Sequence, residues 1–412
     1  MSETILPAPT GAGTPQTGPR RAGPAQLALL LAGSCLSVLG AVLIAPVLPQ
    51  MTDHFAGVAG SEVLVPIVLT VPALFIGLAA PFAGFVADAV DRKRLLIVAM
   101  VLYSVFGTAP LYLESLGAII GSRVLVGLCE AAIMTCCTTL IADYWSGSRR
   151  SRYLGLQTLM ASVSAAVFLG VGGALGAAGW RTPFWLYLVA VLLAYPMARM
   201  LWQPERAPAG AAAAGRRLPS VPWRDLLVPC LVTLVGGIIF YALIVQLSFV
   251  LDDAGVASTA TIGALSALMS VATAAGSLAF ARLSGQSPRR LLPVAFAVSA
   301  AGLLVVAATG SVPLITLGAV LTGAGTGLLL PTLLTWAINR LSFEQRGRGT
   351  GLWTGALFIG EFFCPLLIAG IGAAVGGLRP ALAVLAALAA VLAVVTLIVV
   401  PRDAEPLDVT HG

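Results

Sequence analysis

Charge is what this 412-residue chain has least of. Asp, Glu, Lys and Arg make up 10% of it, where a soluble domain carries roughly 25%. Hydrophobic residues make up 58%, and mean hydropathy is +0.98. So little polar surface cannot coat a core of this length, which excludes a water-soluble protein. The single lysine, Lys93, belongs to no GxxxxGK[ST] loop, so the chain carries no ATPase of its own. The two histidines, His54 and His411, fall in a loop and in a tail, which argues against a His-based metal site or triad. The six cysteines (Cys35, Cys129, Cys136, Cys137, Cys230, Cys364) show no CxxC or metal-ligand spacing and read as small apolar fillers. No metal and no cofactor is expected.

What the chain has instead is long apolar runs. About twelve reach the roughly 20 residues that cross a bilayer: 26–50, 61–87, 94–113, 116–142, 153–178, 182–202, 226–251, 259–283, 289–309, 312–338, 347–374 and 380–400. None alternates as a barrel strand would. In lipid each backbone amide needs a partner within its own segment, so the runs are helices. The first is too long for a signal-peptide core and is kept as a membrane helix. The expected fold class is an all-α polytopic membrane protein.

The basic residues sort to one side. Twenty of the 23 fall in the tails and in alternate turns, the opposite loops hold only Arg181 and Arg379, and Arg123 lies inside a helix. The positive-inside rule then predicts a multi-pass protein of the cell (inner) membrane with both termini cytoplasmic. The net charge of +6 is a topology signal. It forms no extended patch, so no nucleic-acid partner is expected. The Pro- and Gly-rich residues 1–25 and residues 402–412 are expected to be cytoplasmic tails. The stretch 204–225, rich in Ala, Gly and Pro, is expected to be a linker between six-helix bundles at 26–203 and 226–401.

The halves resemble each other. Gly127 and Gly323, Arg150 and Arg346, Arg152 and Arg348, and Gly155 and Gly351 each stand 196 residues apart. Matched segments run in the same direction, so the halves are parallel repeats, a transporter architecture.

Four stretches carry a family resemblance. "GFVADAVDRKRLL" (Gly84–Leu96) resembles the loop between helices 2 and 3 of the major facilitator superfamily, G-x-x-x-D-x-x-G-R-K/R-R, through Gly84, Asp88, Arg92, Lys93 and Arg94. Asp91 stands where that family usually has Gly. "LGAVLIAPVLP" (Leu39–Pro49) looks like the first-helix motif of the twelve-helix drug:proton antiporters, and "RVLVG" (Arg123–Gly127) resembles their fourth-helix R-x-x-x-G. "GVGGALGAAGWR" (Gly170–Arg181) is similar to their fifth-helix motif, with Gly173 in place of the usual Pro. The resemblance implies the major facilitator fold, two parallel six-helix repeats, and a monomer. It also implies a gating charge cluster of Asp88, Arg92 and Asp143 that holds the outward-facing state. The second half has Phe280 where the acid would stand, so the cluster should be one-sided. The alternative is a basic loop that only anchors topology.

Two carboxylates fall near mid-helix, Glu130 and Glu361. A charge at that depth costs about 2.5–3.5 kcal/mol or more, which points to function. Arg123 precedes Glu130 by two helical turns, on the same face. We read Glu130 as the site for a proton or a cationic group, with Arg123 stabilising the ionised carboxylate; the alternative is a structural Arg–Glu pair. Glu361 sits in "FIGEFFCP", and an acid among aromatics suits an amphipathic cation. Gln157, Tyr241 and Gln246 are candidates for lining the cavity. Pro46, Pro49, Pro331 and Pro365 are expected to bend their helices.

These readings converge on a secondary transporter working by alternating access, and not on an enzyme. Its partners would be a small-molecule substrate, protons and the lipid bilayer. Proton-coupled efflux of small amphipathic compounds is the leading expectation. Uptake or exchange of a defined metabolite on the same fold is the alternative.

Overall fold

The computed structural model describes residues 22–82, 90–204, 222–283, 285–342 and 345–401. Among these, all regular structure is helical, and twelve helices are long and apolar enough to cross a membrane. They are α1 (Pro24–His54), α2 (Ser61–Phe82), α3 (Arg92–Leu111), α4 (Leu116–Tyr144), α5 (Gly147–Gly176), α6 (Thr182–Met200), α7 (Trp223–Asp253), α8 (Thr259–Leu283), α9 (Pro288–Ala308), α10 (Val312–Ile338), α11 (Arg346–Val375) and α12 (Leu378–Val399). Each corresponds to one predicted apolar run. Residues 1–21 and 402–412 of the expected tails and most of the expected linker lie outside the described residues, and α1 begins at Pro24, within the expected first tail.

The main departure is at the basic ends. Hydropathy started the fifth run at residue 153, yet α5 begins at Gly147 and carries Arg149, Arg150 and Arg152 exposed in its first turns. Helicity follows backbone hydrogen bonding and does not stop where apolar character stops. At α3 the first turn is held by Asp91. Its backbone is extended, and its carboxylate accepts the Arg94 amide at 2.9 Å, an N-cap. The residue that departs from the family's glycine therefore starts the helix. α10 and α11 run through Pro331 and Pro365 as continuous α-helix.

The repeat is visible in the packing. In the first half α4 packs on α2 and α3, α3 on α6 and α1 on α5; in the second, α10 packs on α8 and α9, α9 on α12 and α7 on α11. Repeat-related glycines do the same work. A methyl group at Gly127 would meet the Pro72 backbone of α2, and one at Gly323 would meet the Met269 backbone of α8. Without a hydrophobic driving force in lipid, helices associate through such small-residue contacts.

Among the described residues the halves meet chiefly where α2 packs on α11 and α5 on α8, with α1 touching both α7 and α8. α2 and α11 approach where Gly77 faces Gly355, nearer the end that bears the basic turns. α5 and α8 approach where Gly173 faces Gly263, nearer the opposite end. Gly173 replaces the family's usual Pro, and a side chain there would overlap the backbone of Thr259 and Gly263.

Candidate functional site

The site starts from a break in α1. Its regular helix ends at Val42, residues Ala45–Val47 tighten into a 3-10 turn, and α-helix resumes at Leu48. Pro46 and Pro49 have no N–H to return to the preceding turn, so the break falls where the sequence puts them. A helix end leaves its last carbonyls without intrahelical donors. Here Leu39 O takes the Leu43 amide at 3.0 Å. Gly40 O takes Arg123 Nη2 at 3.2 Å. Ala41 O takes the Tyr241 hydroxyl, which comes from the other half.

Arg123 is fully buried, 0% exposed, and its guanidinium ties four helices together. From α4 it donates to Gly40 O on α1, to Val68 O on α2 at 3.3 Å and to the Tyr187 hydroxyl on α6 at 2.6 Å. It also lies over the Tyr187 ring, 4.9 Å from the centroid. Tyr103 of α3 packs beside Tyr187, with ring centroids 5.1 Å apart, and donates to Leu36 O at 2.7 Å. Arg123 Nη1 has no hydrogen-bond partner among the described residues. Arginine keeps its charge in proteins, so a fixed positive charge with spare donor capacity sits in the middle of the first half.

Glu130 is equally buried, at 0% exposed, and both of its carboxylate oxygens lack a hydrogen-bond partner among the described residues. The carboxylate rests against the Cα of Gly40, where any side chain would overlap it. Arg123 and Glu130 do share a helix face, as their spacing predicted, and each lies within electrostatic reach of the other. They differ from expectation in one respect. Arg123 spends its bonded donors on two carbonyls and a phenol, so a direct Arg–Glu clamp is not what the structure shows. Buried charges held this loosely are costly, and they leave capacity for another ligand.

The second half brings Glu361 and Tyr241. Glu361 of α11 is buried, with 4% exposure, and Phe362 and Phe363 beside it stack edge-on to one another, 5.2 Å apart. Tyr241 of α7 lies within electrostatic reach of both Glu361 and Glu130. The fold thus gathers Arg123, Glu130, Tyr241 and Glu361 around the point where α1 meets α7. Gln157 does something else. Its amide donates to Ser34 Oγ at 2.7 Å and Thr138 Oγ1 at 3.0 Å, joining α5 to α1 and α4. Gln246 is buried on α7.

Sequence reasoning missed Gly40, Tyr187 and Tyr103. Gly40 lies in the quoted "LGAVLIAPVLP" stretch, so a signal for it existed. The tyrosines look like any others in their helices.

At the basic end Arg92 pairs with Asp143 of α4, both partly exposed. This joins the N-terminus of α3 to the far end of the site helix. Arg94 pairs with Asp91 at 3.4 Å, and the Lys93 amide donates to Gln203 Oε1 at 3.4 Å. Gly84 of the expected gating loop and Asp88, the third expected member of its charge cluster, lie outside the described residues.

This architecture has known counterparts. The sequence matches the Major Facilitator Superfamily over residues 30–257 and again over 229–411. The chain belongs to that superfamily. Among curated proteins it is 24% identical over 213 residues to the quinolone resistance protein NorA of Staphylococcus aureus (strain MRSA252), covering 51% of this chain and 54% of that one. It is 27% identical over 198 residues to multidrug resistance protein 1 of Bacillus subtilis (strain 168), covering 46% and 49%. The chain thus spans about half the length of the curated relatives it matches. Among solved structures, a bacterial homologue of the human lysosomal transporter Spinster superposes with a TM-score of 0.69 at 18% identity, covering 91% of this chain and 94% of that one. The human organic anion transporter MFSD10 (TETRAN) superposes with a TM-score of 0.67 at 18% identity, covering 91% and 100%. At that identity the likeness is one of fold. As a superfamily member with twelve apolar helices among the described residues, the chain is a multi-pass membrane protein.

Proposed function

We propose that this protein is a proton-coupled exporter of small amphipathic compounds, working as a monomer by alternating access between its two six-helix halves. The observation that carries the reading is Glu130: a fully buried carboxyl with no hydrogen-bond partner among the described residues, beside a buried guanidinium with one donor unused there. A group in that position can take a proton or a cation and give it up again, since neither of its oxygens is engaged by a described residue. Arg123 supplies the fixed charge that stabilises the empty, ionised form. Two membrane acids and a single buried Arg favour cationic or neutral cargo over anions. The names of the curated relatives, a quinolone and a multidrug resistance protein, support the drug-like class.

In this reading the basic turns and both termini face the cytoplasm. The Arg92–Asp143 pair joins α3 to α4 within the first half and braces the face on which α11 closes against α2 while the site opens outward. Breaking it permits inward opening.

The test uses inside-out membrane vesicles with an acidified lumen and a pH-sensitive dye. Lipophilic cations, antibiotics, sugars and organic acids are added in turn, with Glu130→Gln in parallel. The expected result is lumen alkalinisation by one amphipathic class, lost in the variant. Transport of labelled cargo without any proton movement would overturn the reading in favour of a facilitator.

A further inference from the structure

We propose that Tyr241 is the positioning residue through which the half built from α7–α12 reads the state of the Arg123–Glu130 site in the other half. The inference rests on the proton-site reading above and assigns that site its mechanical output. Two consecutive carbonyls in the last turn of α1 are held by different halves. Gly40 O is held by Arg123, from the same half, and Ala41 O by Tyr241, from across the interface. The Glu130 carboxylate lies against the Cα of Gly40, the residue whose carbonyl Arg123 holds. One turn of a helix end, already broken by the Pro46 turn that follows, therefore carries the proton site on one side and the opposite half on the other.

The consequence follows from hydrogen-bond strength. When Glu130 gives up its proton, its carboxylate becomes the strongest acceptor near the guanidinium, because charge-assisted bonds are about twice as strong as neutral ones. Arg123 then turns toward it and Gly40 O loses its donor. The loosened turn shifts Ala41 O against Tyr241, and the grip between the halves changes. Protonation of Glu130 reverses each step. The titratable and charged groups that face this junction are Arg123, Cys129 and Glu130 from α4, Tyr103 from α3, Tyr187 from α6, and Glu361 and Cys364 from α11. Of these, Glu130 is the one whose oxygens lie against Gly40.

Backbone hydrogen exchange on the full-length protein in nanodiscs tests this without any known cargo. Protection of the amides from Leu43 to Val47 is measured at about pH 6 and about pH 8, corrected for intrinsic exchange, in wild type, Glu130→Gln and Tyr241→Phe. The expected result is a change in protection of roughly fivefold or more between the two pH values in wild type, and less than about twofold in both variants. Protection in α12, around Leu385–Ala389, reports whether each variant is folded. A merely structural Tyr241 would lower protection equally at both pH values and leave the pH response intact, which would overturn the inference while sparing the proton site. A wild type with no pH response, or one retained in Glu130→Gln, would overturn the proton-site reading and this inference with it.

Discussion

Two carboxyl groups lie inside the helices, one in each half, and their surroundings differ. Glu130 shares its face with Arg123 and sits in a notch made by the missing side chain of Gly40. Glu361 has apolar and aromatic neighbours and no nearby cation among its electrostatic partners. The repeat does not relate them. At the 196-residue offset Arg123 matches Ala319 and Glu130 matches Thr326, whose hydroxyl bonds within its own helix, to Thr322 O at 2.9 Å. Glu361 corresponds to Ala165. A duplicated scaffold has thus kept its glycine packing in both halves and placed ionisable chemistry differently in each. Packing constrains every helix pair alike, whereas a membrane charge is costly and is kept only where it acts.

The comparison breaks most sharply on the two neutralising substitutions. Glu130→Gln is expected to lower proton-coupled flux by at least about tenfold, equivalent to roughly 1.4 kcal/mol. Glu361→Gln should leave the proton coupling in place and lower the rate for cationic cargo several-fold relative to neutral cargo. Measuring proton and cargo flux together separates the two. Equal loss of coupling in both variants would make the carboxylates a single unit and end the contrast.

Gly40→Ala sharpens the local part of the comparison. The added methyl overlaps the Glu130 carboxylate, and overpacking of this kind costs about 1–3 kcal/mol. The thermal unfolding midpoint of the purified protein should fall accordingly. Adding Glu130→Ala should restore most of the loss, since it empties the space the methyl needs. Failure of that rescue would mean that Gly40 serves α1 packing and not the carboxylate.

The smallest effect on stability is expected at the basic end. The Arg92–Asp143 pair is partly exposed, and such pairs contribute about 0–1 kcal/mol. Arg92→Gln should therefore barely move the unfolding midpoint. It should still raise thiol labelling of cysteines introduced at the basic ends of α2 and α11, whose closure the cluster is proposed to hold. Unchanged labelling would leave the basic turn as a topology anchor only.

The fold was legible because membrane crossing is written in composition. Runs of about 20 apolar residues give the number of spans, and the resemblance around Arg92, Pro49 and Arg123 supplies the family. The helix starts were less legible. Arg149 and Arg150 look like turn residues but lie in α5, because a polar side chain does not prevent the backbone from continuing its hydrogen bonds.

By itself, the sequence determined the twelve helices, the parallel repeat and the two buried acids worth examining. Local periodicity also put Arg123 and Glu130 on one face, since two turns of α-helix bring side chains back into line. Only tertiary structure decided what Arg123 holds, because its acceptors are carbonyls at Gly40 and Val68, and a backbone oxygen has no sequence signature. The same holds for the notch at Gly40 and for the bond from Tyr241 to Ala41, which joins residues 200 positions apart. Such contacts depend on how helices pack, and packing is a property of shape in three dimensions that no single helix encodes.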